Sequence, residues 1–187
     1  MKLIEIKKEA LGLIEELDPS NPLLTSDDDI SVKINASVNR VMFELARFKK
    51  LPKYIELAVT LGDVVDFSKL QNACGYEIYQ VEAARGVPVE FRANGTVIKV
   101  LGDGVLEADV FVYPERITDK TKDSSYEFEL PAELLAIMPY GIAADLLKND
   151  VATSYGKVYA DRYSEMKREI DPRYRLPQFE VQEGYNI

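Results

Sequence analysis

Apolar residues at Leu3, Ile6, Ala10, Leu13, Ile14 and Leu17 recur every three or four positions, the spacing that lines one side of an α-helix. Asp18-Pro19 ends the run. After the loop SNPLLTSDDD, Ile30, Ile34, Val38, Val41, Met42, Leu45 and Phe48 repeat the pattern and predict a second helix from about Asp27 to Lys49. Thr25 or Ser26 is placed to cap it, and Asp27 to Asp29 suit its positive end. Two helices joined by a short loop predict an antiparallel hairpin over 1–50, whose facing stripes begin the core.

From Pro52 the period changes. Runs such as YIELAVTL and YEIYQVEA are short and strand-like, with Gly, Asp and Ser between them. In VPVEFRANGTVIKVL, Asn94-Gly95 sits between two alternating segments, and both residues tolerate the positive φ of a type I′ turn, so a hairpin is expected. Asp103-Gly104 and LEADVFVYP predict a further turn and strand, giving a small antiparallel meander from about Lys53 to Tyr113. The polar stretch PERITDKTKDSSYEFE is read as irregular and closes an insertion covering 51–129.

Helical spacing returns near Pro131, a suitable first helical residue, and Pro139 is expected to break or kink that helix near Met138. Tyr155, Tyr159, Tyr163, Met166 and Ile170 mark a last helix, so 130–171 completes the bundle. Beyond Pro172, residues 172–187 read as an extended tail. The fold class expected is therefore α+β: a helical bundle with an inserted small antiparallel β meander and an extended C-terminal tail.

Composition narrows the chemistry. The chain has 187 residues, enough for one good core, and its only cysteine, Cys74, has no intramolecular partner for a disulfide or a thiolate zinc site. That suits a reducing cytoplasm. MKLIEIKKEALGLIEEL alternates charge with apolar residues, so neither a signal peptide nor a membrane anchor is expected. A net charge of -9 argues against general affinity for nucleic acid. The cluster Arg40, Arg47, Lys49, Lys50 and Lys53 is read as a solvated helix end.

With no histidine in the sequence, the commonest general base and the Ser-His-Asp and Cys-His arrangements are excluded. There is no GxSxG elbow and no phosphate loop, and Gly102 and Gly104 in LGDGVLE read as turn residues. Asp27, Asp28 and Asp29 lack EF-hand spacing, because Val32 and Val38 stand where glycine and glutamate are needed. No catalytic, cofactor-binding or metal-binding set is therefore expected, and the chain is read as a non-enzyme.

Two features point instead to contact surfaces. The stripe Tyr155, Tyr159, Tyr163 combines large rings with polar tips, suited to a core or a subunit contact. The tail carries Tyr174, Leu176, Phe179, Val181 and Tyr185, more large apolar groups than a segment fraying in water needs. Docking is expected, and the alternation of Phe179 and Val181 suits strand addition to a neighbouring sheet.

In order, the parts are DDDISVKINASVNRVMFELARFKK, a β insertion, and LPAELLAIMPYGIAADLLKNDVATSYGKVYADRYSEMKREI. With its aspartate-rich turn before a helix and its final Y-x₃-Y-x₃-Y run, the chain resembles the head-tail connector (adaptor) proteins of tailed bacteriophages. The β insertion departs from the simplest, all-helical adaptors. The resemblance implies a virion protein of the neck, made in the bacterial cytoplasm, that forms a dodecameric ring below the portal. DNA would pass through it without sequence-specific binding, and extended termini would grip the portal or the next neck or tail protein. No membrane partner is implied. Three other readings stay open: another neck or tail component (stopper, tail terminator or bacteriocin part), a module binding a small molecule or peptide on its β meander, and a carboxylate-based hydrolase.

Overall fold

The computed structural model describes residues 1–70, 77–87, 90–94, 97–148 and 154–170. Cys74, Gly95 and the tail residues Tyr174, Leu176, Phe179, Val181 and Tyr185 lie outside the described residues. Helix α1 covers Leu3–Leu13, one turn shorter than the apolar spacing predicts. Its stop is a Schellman motif: Glu15 turns left-handed at φ 62, its N–H donates to the Gly12 carbonyl at 3.3 Å, and the Glu16 N–H donates to the Leu11 carbonyl at 3.0 Å. Ile14 and Leu17 therefore leave the helix but still pack against the core.

Helix α2, Asp28–Lys49, forms where the stripe predicts it. Its cap is Asp27 and not Thr25 or Ser26: the Asp27 carboxylate accepts from the N–H groups of Asp29 at 2.8 Å and Ile30 at 3.1 Å. Thr25 instead holds the cap, accepting from the Asp27 N–H at 3.1 Å.

Six strands follow: β1 (Pro52–Val59), β2 (Val64–Asp66), β3 (Glu77–Val87), β4 (Phe91–Asn94), β5 (Val97–Val100) and β6 (Gly104–Tyr113). They are antiparallel, as expected, but not one meander. Two three-stranded sheets form, ordered β1-β6-β3 and β2-β5-β4. The expected β4–β5 hairpin is present, with Asn94 opposite Val97, which places Asn94 in the strand. Pro52 begins an edge strand, where its missing N–H breaks no inner ladder.

Helices α3 (Ala132–Leu146) and α4 (Tyr155–Ile170) complete the described residues. Helix α3 runs through Pro139 without interruption, so of the expected break or kink the break does not occur. Burial of Leu134, Leu135, Ile137, Met138, Ile142 and Ala143 holds the helix together across the missing N–H. Both α1 and α2 pack on α3, so this part of the core is a three-helix contact and not a two-helix hairpin. A single hydrophobic cluster joins these helices to residues of both sheets, and the class is α+β.

An aromatic group fastens α2 to the central sheet. Phe43 meets Tyr113 at 4.9 Å between centroids, and Tyr113 meets Tyr79 at 4.7 Å. The basic cluster sits at the solvated end of α2, as expected, with Arg40, Arg47 and Lys50 exposed, and it also meets neighbours: Lys49 pairs with Glu133, Lys53 with Glu129 and Arg40 with Asp145. Arg47 and Lys50 lie over Tyr79 and Phe111.

The irregular segment 114–130 is a strap tied down at both edges. Its backbone carbonyls at Tyr126 and Asp123 accept from the Leu3 and Ile4 N–H groups, both at 3.1 Å, satisfying donors that α1 cannot satisfy itself. Opposite, buried Asn39 of α2 donates to the Ile117 carbonyl at 2.7 Å and accepts from its N–H at 2.8 Å. No helix among the described residues is long and apolar enough to cross a membrane.

Candidate interaction surfaces

Four-residue spacing puts Tyr155, Tyr159 and Tyr163 on one side of α4, and the packing of α4 then gives each a different role. Tyr163 is a core residue, 8% exposed. It fits because Gly141 of α3 has no side chain: a Cβ there would stand 2.9 Å from Val41 Cγ1 and 3.0 Å from Tyr163 Cε2. The Tyr163 hydroxyl is buried without a hydrogen-bond partner. Burial, and secondarily the nearby Glu44 carboxylate, push its pKa far above the ordinary tyrosine value.

Tyr159 is half-buried, and its hydroxyl donates to the Leu13 carbonyl, tying α4 to the last turn of α1. Tyr155 alone of the three stands out, 61% exposed. Gly156 sets its position. A Cβ at Gly156 would come within 2.7 Å of the Leu147 carbonyl oxygen, so the glycine lets the start of α4 lie directly on the end of α3.

These approaches leave a groove of about 590 Å³ where the C-terminal ends of α1 and α3 meet the N-terminal ends of α2 and α4. Its floor is the half-buried apolar set Leu13, Ile14, Ile30, Leu146 and Leu147, with Tyr155 and Tyr159 as one wall. Its rim is acidic: Glu15, Glu16, Asp27 and Asp29 line it against one cation, Lys33, which pairs with Asp29. Asp27 is committed to capping α2. No three His, Cys, Asp or Glu side chains come together to hold a metal among the described residues.

Sequence reasoning singled out Tyr155 and Tyr159 but missed the rest of this groove. Glu15 and Glu16 read as ordinary helix residues, and their position follows from the left-handed turn at Glu15. Nothing in local spacing signals that turn.

A second surface lies at one end of the strands. Leu61, in the β1–β2 connection, and Val64, the first residue of β2, are 68% and 64% exposed. Leu101, in the β5–β6 connection, and Val105 of β6 are exposed too, and the Leu61 N–H donates to Asp103 across the two connections. Between β1 and β2 runs a cleft of about 630 Å³, lined by Leu57, Val59, Val65, Leu70 and Val97. The groove and this tip share no residue. The N-terminal end of α2 borders the groove, its later turns meet β6 at Tyr113, and the tip lies by Gly104 at the other end of β6.

One face of the β1-β6-β3 sheet is acidic beyond the aromatic cluster. Glu56 is directly opposite Glu107, and Tyr54 opposite Asp109, with Arg85 across from Glu107 on the third strand. Like charges in register weaken a sheet, and Arg85 offsets only part of this. No family model and no curated protein matches the chain.

Proposed function

We propose that the chain is a virion structural protein, the subunit of a dodecameric adaptor ring that joins the portal of a tailed-bacteriophage head to the tail or neck. Its role is mechanical and not catalytic. The observation that carries the reading is the pair of distinct exposed apolar surfaces, the groove beside Tyr155 and the tip at Leu61 and Val64. A ring subunit needs two different contact faces, because a heterologous interface uses one face on each neighbour. The helix order and the Tyr155 to Tyr163 run support the same reading through their resemblance to head-tail connectors.

The acidic ladder of Glu56, Glu107 and Asp109 is the surface suited to face passing DNA, since repulsion of phosphate keeps the duplex from sticking. A ring whose bore is dominated by Lys and Arg would remove that part of the proposal. The subunit contact is tested by mixing the purified chain with portal protein and measuring mass by sedimentation. A complex holding a full ring of this chain per portal is expected, and a chain that sediments unchanged with portal present would contradict the reading.

The cleft between β1 and β2 favours a second reading, a module that binds a small apolar ligand or peptide. A Val97→Glu substitution, on the side of the cleft away from Leu61 and Val64, separates the two: it would abolish ligand binding in the second reading and leave portal docking intact in the first.

A further inference from the structure

The groove beside Tyr155 pairs an apolar floor with an acidic rim, so its occupant should carry apolar side chains flanked by cations. The chain contains one such segment outside its described residues. In DPRYRLP, Arg173 and Arg175 alternate with Tyr174 and Leu176, and no other basic residue follows Arg168. If extended, this segment puts Tyr174 and Leu176 on one side and both arginines on the other. That is the pattern an apolar floor between carboxylates would receive. Pro172 and Pro177 bracket it and restrict its backbone, which lowers the entropy lost on docking.

Reach bears on which copy supplies it. The groove lies at the Tyr155 end of α4, whereas the segment leaves from the Ile170 end. A helix of 16 residues is about 24 Å long. Arg173 follows Ile170 closely, at most about 10 Å of extended chain away. Leu176 is about 20 Å of extended chain from Ile170, and Tyr159 is about 17 Å back along α4. Docking in its own copy would therefore need the segment to reverse and run fully extended along the helix, whereas a second copy sets no such requirement.

We propose that residues 172–176 of one copy dock in the acidic-rimmed groove at the helical end of a second copy. Tyr174 and Leu176 lie on the floor of Leu13, Ile30 and Leu147, and Arg173 and Arg175 pair with Glu15 and Glu16. The contact is head-to-tail, so repetition closes a ring or extends a filament. It deepens the ring reading above and rests on it for the closed geometry. Phe179, Val181 and Tyr185 remain available for a different partner.

The test uses a fluorescent peptide of residues 171–187 and, as receptor, the full chain carrying Arg173→Glu and Arg175→Glu, so that its own tails do not compete. Saturable binding by anisotropy is expected. Charge reversal of both arginines in the peptide should weaken it at least about tenfold, as should Glu15→Lys with Glu16→Lys in the receptor. Combining the reversed peptide with the reversed groove should restore a large part of the loss, and circular dichroism checks that each receptor is folded. Equal binding of native and reversed peptides, indifference to the groove substitutions, or no binding would overturn the proposal. So would a groove that ignores this peptide and takes a basic segment of the portal protein. Because no particle enters the assay, a chain absent from the phage neck would leave a positive result standing, and a negative result would leave the neck assignment untouched.

Discussion

The Tyr163 hydroxyl is enclosed without a partner, between Val41, Gly141 and the ring's own helix, so its removal leaves no other polar group stranded. Tyr163→Phe should raise the unfolding free energy by about 1 kcal/mol in denaturant titration, the desolvation penalty of one unpaired hydroxyl. Its pH dependence follows from the same burial. Tyr163 is held neutral by burial, and Tyr126 is pushed up to about 12 by burial and by Glu115 and Glu129. A phenol whose folded pKa is raised contributes stability in full below its unfolded value near 10, and loses it as pH rises through the folded value. Stability should therefore fall above about pH 10, and Tyr163→Phe should flatten that limb. At Glu15, a left-handed φ of 62 suits glycine better, so Glu15→Gly should stabilise by up to about 1 kcal/mol. The tyrosine stripe was legible at this scale, but its division into buried, tied and exposed members was not. That division depends on Gly141 and Gly156, which read in sequence as ordinary small residues and act through close approach to α2 and α3.

Among elements, the strap at 114–130 is the least regular and among the most firmly held. Asn39 satisfies both backbone groups of Ile117 from a buried position. Asn39→Leu should cost about 2–4 kcal/mol, two stranded backbone groups at the usual penalty, and should increase hydrogen exchange at Ile117. Gly141→Ala should cost about 1–2 kcal/mol, overpacking against Val41 and Tyr163 outweighing the better helix propensity of alanine. Val41→Ala in the same chain should recover part of it, a coupling a double-mutant cycle reads directly. Helices α2 and α4 and the β4–β5 hairpin were legible because each is fixed by near neighbours in sequence. The pairing of β1 with β6 was not, since it joins residues far apart in the chain and depends on burial that alternation alone does not locate. At Pro139 the local rule allows a break or a kink, and the buried faces on either side keep the helix unbroken.

Across the whole molecule, two apolar surfaces draw on different elements, one on the helix ends and one on the strand connections, and an acidic face lies on the β1-β6-β3 sheet. Asp27 and Asp29 were legible as acids at a helix end, but Glu15 and Glu16 were not, and the convergence of all four required four helix ends to meet. The reading of the apolar tail as a docking element rests on composition alone, and the tail lies outside the described residues. Deletion of residues 171–187 should leave the melting temperature nearly unchanged while preventing incorporation into particles, measured by mass spectrometry of purified virions. The central claim is tested most directly by a density map of the neck in an assembled particle. The account predicts a twelve-subunit ring of this chain directly beneath the portal, and a neck built without this chain would contradict it.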